Sequence, residues 1–169
     1  WSCPNTGHAY ADDNLKQLDK LLSRTDYEHP KKRKFIKVSP DLLQEGVKQI
    51  TAIASGHDVQ GFTTCNSTTQ RGINGIPIEQ KVGGASGEAV YDASVNVQEW
   101  FIEEIHRKCK DRQWQLNACG GIRNKLTAKY RATKPYTTQI QLYTGLVLQG
   151  PGLIKKIRQC LAENPHEIH

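Results

Sequence analysis

The sequence predicts an α/β fold of about four parallel βα units, the second half of a (β/α)8 TIM barrel that is incomplete without a partner segment. Three observations predict it. Four short strand patterns alternate with helical ones, with no internal repeat or low-complexity tract. The 169 residues fall well short of the roughly 250 typical of the complete barrel. The chain also opens on "WSCPNT", where the turn-forming Pro4-Asn5 pair needs a preceding strand, so that strand and everything before it are expected outside this sequence.

The elements follow in order. Leu15, Leu18, Leu21 and Leu22 recur at helical spacing and predict a helix from about Asp12 to Ser23. "KFIKVS" reads as a short buried strand. Ser39-Pro40 then reads as an N-cap with proline in the first turn, opening a helix faced by Leu43, Val47, Ile50 and Ile53. "VQGFTTC" is the second strand, and a Gly-rich connection runs from Asn66 to about Asp92. With Ser94 as cap, Val97, Phe101 and Ile105 stripe the next helix. "WQLNAC" is the third strand and "TQIQLY" the fourth, after which Ile154, Ile157 and Leu161 mark a last helix.

Composition bounds the partners. The formal charge is +6 and the pI about 9.1, which suits an anionic ligand or surface. The charge is dispersed, however, and the one dense run, Lys31 to Lys34, reads either as a solvated loop or as a phosphate-contacting patch. No basic and aromatic stacking pattern of the single-strand binders is present, so nucleic acid is not expected. Cys3, Cys65, Cys109, Cys119 and Cys160 form no CxxC pair and are odd in number, which predicts neither a disulfide framework nor a metal site, and a reducing compartment. No apolar run reaches the roughly 18 residues of a membrane span, and the N-terminal residues lack signal-peptide order.

In such a barrel the chemistry sits at the C-terminal ends of the strands, and the loops after the last two often hold a phosphate. Those ends read "ACGGI" and "QLYTGL". Gly120 and Gly121 let backbone N–H groups approach a phosphate, and Tyr143 and Thr144 add a hydroxyl and the N–H groups of a helix start. The alternative for Gly120-Gly121 is a tight strand-to-helix turn.

"SCPNT", "FIKVSPDL", "TTCNSTTQR", "GGASG", "ACGGI" and "QLYTGLVLQGPGLIKKI" resemble, in order, the motifs of the dihydroorotate dehydrogenase family, closest to its membrane-associated, quinone-using class. The resemblance covers residues 2 to about 161, with its poorest stretch between Arg123 and Thr138, and makes residues 1–169 the C-terminal half of a barrel domain. It implies FMN as cofactor, dihydroorotate and orotate as substrate and product, quinone as a candidate acceptor, and a role in pyrimidine biosynthesis. It places the catalytic base at Cys3, where a thiol of ordinary pKa about 8.5 is competent if a cation favours the thiolate. The other reading of Cys3 is a small filler beside a turn. Asn5, Asn66 and Ser67 match substrate-binding positions, and amides suit a pyrimidine ring because each offers a donor and an acceptor. Lys37, Ser86, Gly87, Gly120, Gly121, Tyr143 and Thr144 match flavin-contacting positions, with Lys37 alternatively a strand-end lysine reaching solvent.

The departures are equally specific. Gly7-His8-Ala9-Tyr10 replaces a Gly-Leu-Arg segment, so the family's arginine is lost, and "RNKLTAKYRATKPYTT" replaces a Gly-Ala-rich helix and turn. An open half-barrel is expected to leave two strand edges unpaired and to turn Ile36, Phe62 and Leu142 to water on its inner face until another chain or segment covers them. Three readings follow: a fragment or split subunit of a working enzyme, a non-catalytic homologue with a structural role in a larger assembly, or, with little support for want of a basic and aromatic stacking pattern, a basic domain of this architecture that binds nucleic acid or another anionic partner. By family resemblance either of the first two would sit at the mitochondrial inner membrane.

Overall fold

The computed structural model describes residues 12–72, 75–79, 83–108 and 112–163. Four strands, β1 (Phe35–Val38), β2 (Gly61–Thr64), β3 (Gln115–Cys119) and β4 (Thr137–Gln141), form one sheet in chain order, every neighbouring pair parallel. Helices α1 (Asp12–Glu28), α2 (Gln44–Ser55), α3 (Tyr91–Lys108), α4 (Lys125–Ala132), α5 (Thr144–Gln149) and α6 (Gly152–Ala162) separate or flank the strands. This is four consecutive βα units of a TIM barrel, the expected half.

Register fixes which side chains face the barrel axis. Lys37, Thr63, Asn117 and Gln139 are partners across all four strands and share one face. The alternate positions face the helices. There Phe62 stacks on Phe101 of α3 with ring centroids 4.2 Å apart and on Trp114 at 5.3 Å. Around that stack Ile36, Val38, Val47, Ile50, Val97 and Leu116 close the main core. The expectation that Ile36, Phe62 and Leu142 line the inner face is therefore corrected. Ile36 and Phe62 are buried under the helices, and Leu142 packs on the second core of Ala118, Ile122, Ala128, Leu153 and Ile157. Large apolar side chains seal helices to sheet, and the axial face is left to polar residues near the site.

Several boundaries also move, and α1 runs on to Glu28 instead of ending near Ser23. α2 starts at Gln44 with Leu43 as N-cap, not at Ser39-Pro40. Ser39 instead forms a turn, its hydroxyl oxygen accepting from the Asp41 N–H at 3.1 Å, while the Asp41 carboxylate accepts from the Thr68 hydroxyl and from the Thr69 N–H at 3.1 Å. Engaging Asp41 with the loop after β2 holds residues 39–43 out of the helix. α3 starts at Tyr91, after a 3-10 turn at Gly87–Val90, so Ser94 is not a cap but a buried residue of the helix interior. After β4 the chain breaks at Gly150-Pro151 into two helices, which turns Leu153 inward and leaves Ile154 41% exposed. The inward stripe is thus Leu153, Ile157 and Leu161 rather than one containing Ile154.

The basic segment after Arg123 folds as α4. Asn124 caps it through a reciprocal box: its Oδ1 accepts from the Thr127 N–H at 2.9 Å, and the Thr127 hydroxyl oxygen accepts from the Asn124 N–H at 3.2 Å. Ala128, Arg131 and Ala132 form its buried face.

Candidate functional site

The C-terminal ends of the strands enclose a cavity of about 420 Å³, within the roughly 300–1,000 Å³ usual for small-molecule sites. Lys37 from β1, Asn66 and Ser67 after β2, Ser86 and Gly87 before α3, Gly120 and Gly121 after β3, and Tyr143 and Thr144 after β4 all line it. Every described residue assigned from the sequence thus meets at one cavity. Cys3 and Asn5, with His8 and Tyr10, lie outside the described residues.

Each corner has a local cause. Thr68 and Ala85 exchange backbone hydrogen bonds of 2.9 and 2.8 Å, pinning the long loop after β2 so that Ser86 reaches β4's end. There the Ser86 and Thr144 hydroxyl oxygens are 2.9 Å apart. Gly120 and Gly121 have φ of +102° and +71°, which favours glycine. A Cβ on Gly121 would lie 2.5 Å from Tyr91 Cβ, and one on Gly120 2.9 Å from Ser94 Cβ. Close approach of α3 therefore explains both glycines. The tight-turn reading and a place in the cavity wall hold together at these positions.

Beneath the cavity floor lies a residue that sequence reading passed over. Arg131 is fully buried between α3 and the sheet. Its guanidinium donates to Gln98 Oε1, to Ser94 Oγ at 2.6 Å, to Thr64 O and Oγ1 at 3.2 Å each, to Ser94 O at 3.3 Å and to Gly120 O at 3.4 Å. All of these acceptors are neutral. Burial pulls its pKa below the ordinary arginine value, with Cys65 and Tyr91 opposing, but a guanidinium stays charged in proteins. It ties the ends of β2 and β3 to α3. Burial likewise pushes the Cys65 thiol well above its usual pKa, so this cavity-lining cysteine is a neutral thiol. Cys119, Glu88, Arg123 and Gln141 also line the cavity without having been singled out. Their signal was position alone, one or two residues from the assigned motifs.

On the axial face Asn117 donates to Thr63 Oγ1 at 3.1 Å, and its buried Oδ1 has no partner. With the glycine-lined corner, the Ser86 and Thr144 hydroxyls and Lys37, the residues present fit a mononucleotide: N–H and O–H groups on one side, a cation and amides on the other.

Strand order, helix placement and a cavity at the strands' C-terminal ends together define half of a (β/α)8 barrel. Residues 1–164 match the sequence model of dihydroorotate dehydrogenase, and the chain belongs to that family. Among curated relatives, dihydroorotate dehydrogenase (quinone) of Trichodesmium erythraeum is 29% identical over 98% of this chain and 45% of its own length. The Burkholderia pseudomallei protein of the same name is 30% identical over 95% of this chain and 48% of its own. Two crystal structures of DHODH from Eimeria tenella, one ligand-free and one with ferulenol, superpose with TM-scores of 0.75 and 0.69 at 20% identity, each covering 98% of this chain and 50% or 48% of theirs. The chain spans about half the length of the relatives it matches.

Proposed function

We propose that this chain supplies the C-terminal half of an FMN-dependent dihydroorotate dehydrogenase, with the remaining barrel strands contributed by another segment or chain. The observation that carries the reading is the convergence of nine assigned residues, from Lys37 to Thr144, on one cavity at the strands' C-terminal ends.

FMN, when bound, would accept the hydride from dihydroorotate. The chain's own residues would do the rest. Cys3, as thiolate, takes the proton from the neighbouring carbon of the substrate. Asn5, Asn66 and Ser67 hold the pyrimidine ring by amide and hydroxyl hydrogen bonds. Lys37 places its ammonium on the axial face, where it favours negative charge developing nearby. Gly120, Gly121, Ser86, Gly87, Tyr143 and Thr144 would hold the ribityl-phosphate side. Quinone as acceptor and attachment to the mitochondrial inner membrane belong to the same proposal.

The test is the visible spectrum of the intact protein. We expect bound flavin that bleaches on addition of dihydroorotate, and a Cys3→Ala variant that keeps its colour but bleaches at least about a hundredfold more slowly. Flavin that is present and never bleaches would overturn the catalytic reading in favour of a structural homologue. Orotate formed at the wild-type rate without Cys3 would remove that residue from the mechanism.

A further inference from the structure

Arg123 and Glu88 form an ion pair, Nη1 to Oε1 2.5 Å, and both line the cavity. They come from different loops. Glu88 follows Gly87 in the turn before α3, and Arg123 stands two residues after Gly121. The turn after β4 meets both: a Cβ on Gly87 would lie 3.0 Å from Thr144 Cγ2, and a Cβ on Gly145 would lie 3.3 Å from Arg123 Cα. The Arg123 carbonyl also accepts from Gln149 of α5. Arg123 is thereby fixed between the two corners, Gly120-Gly121 and Tyr143-Thr144, to which the phosphate side is assigned.

Charge makes this position informative. Among the described residues lining the cavity the cations are Lys37 and Arg123, and Lys37 belongs to the axial, ring-side layer. A dianionic phosphate held only by N–H and O–H groups gains from a cation at that end, and a guanidinium fork meets phosphate oxygens two at a time. The existing partner is weakly held, because the two side chains are 42% and 71% exposed and an ion pair that open to water is screened. Exchanging Glu88 for a phosphate is therefore favourable, and Glu88 opposes it.

We propose that Arg123 is a specificity residue that selects the phosphorylated flavin over its unphosphorylated form, and that Glu88 competes with the phosphate for it. The inference rests on the flavin reading above and deepens it.

The test displaces FMN from the intact holoprotein with riboflavin, followed by the fluorescence of released flavin. Arg123→Gln should lower the riboflavin concentration at half-displacement by about tenfold, Arg123→Lys should restore part of the difference, and Glu88→Gln should raise that concentration several-fold. Melting temperature measured alongside separates these effects from misfolding. A half-displacement point unchanged in both Arg123→Gln and Glu88→Gln, with flavin still bound, overturns the inference and leaves the flavin reading standing. A protein that takes up neither flavin overturns both.

Discussion

The hydroxyls of Ser86 and Thr144, 58 residues apart in sequence, stand 2.9 Å from one another. That contact joins the loop after β2 to the turn after β4 across the end of β3, and both residues line the cavity. A neutral hydrogen bond contributes roughly 0.5–1.5 kcal/mol, so Thr144→Val should weaken FMN binding about 3- to 10-fold and Thr144→Ser should not. Fluorescence titration reads the effect directly. Unchanged affinity in the valine variant would mean the hydroxyl pair does not shape the site.

Arg131 is the most consequential polar group outside the cavity. Removing it leaves Gln98 Oε1, the Ser94 hydroxyl and the Thr64 carbonyl without their donor in a space closed to water. Each buried neutral acceptor left without its donor costs about 1–3 kcal/mol. Arg131→Met is therefore expected to lower the urea midpoint sharply, and Arg131→Lys to recover only part of it, since one ammonium cannot reach acceptors on β2, β3 and α3 together. A midpoint unchanged in the methionine variant would show that the network is not a tie between sheet and helix.

Gly121→Ala tests whether backbone shape or ligand contact fixes the glycine pair. An added Cβ must coexist with Tyr91 Cα at 2.6 Å while the residue keeps a φ of +71°. Both demands act on the folded chain, so the variant should lose more than about 1 kcal/mol of stability even without FMN. Thermal melts with and without flavin decide: a loss confined to the flavin-bound form would assign the glycine to the ligand alone.

Legibility from the sequence followed the distance over which each cause acts. Strand patterns, the Gly-Gly turn and the Tyr143-Thr144 helix start are local, and all were readable as elements at the strand ends. The facing of β1 and β2 was not, because a parallel strand flanked by helices and axis offers apolar surface on either side until register is known. Arg131 illustrates the limit. In "KLTAKYRATK" one arginine among several cations looks like a solvated face, and only the docking of α4 against Gln98 and Ser94 of α3 distinguishes it from Lys125 or Lys129. Asp41 stands inside "FIKVSPDL", yet its role in holding Thr68 and Thr69 depends on a loop 27 residues away.

The far end of the sheet carries a pH-dependent clasp. His57, just after α2, places Nδ1 2.8 Å from Asp26 Oδ2 and Nε2 2.9 Å from Asp19 Oδ1, both on α1, and Asp26 also accepts from Lys34 Nζ at 2.6 Å. Asp58 lies 3.4 Å from the same ammonium. Burial alone would lower the His57 pKa, but the hydrogen bonds to Asp19 and Asp26 outweigh it and raise the pKa above its ordinary value of 6.5. Burial likewise opposes the shift at Asp26, where hydrogen bonds from Lys34 and His57 hold the carboxyl below 3.8. The signs then follow by linkage. A raised histidine contributes stability that is complete below pH 6.5 and is lost as pH rises through its folded pKa. A lowered carboxyl contributes stability that is present above pH 3.8 and is lost as pH falls through its folded value. Docking of α1 on α2 should therefore be firmest between those two limits and loosen toward alkaline pH. Hydrogen exchange of α1 amides at pH 6 and pH 8.5, corrected for intrinsic rates, measures it. His57→Gln should be equally protected at both values, and a wild-type protein whose α1 protection does not fall between them would show that His57 is not the group holding that helix.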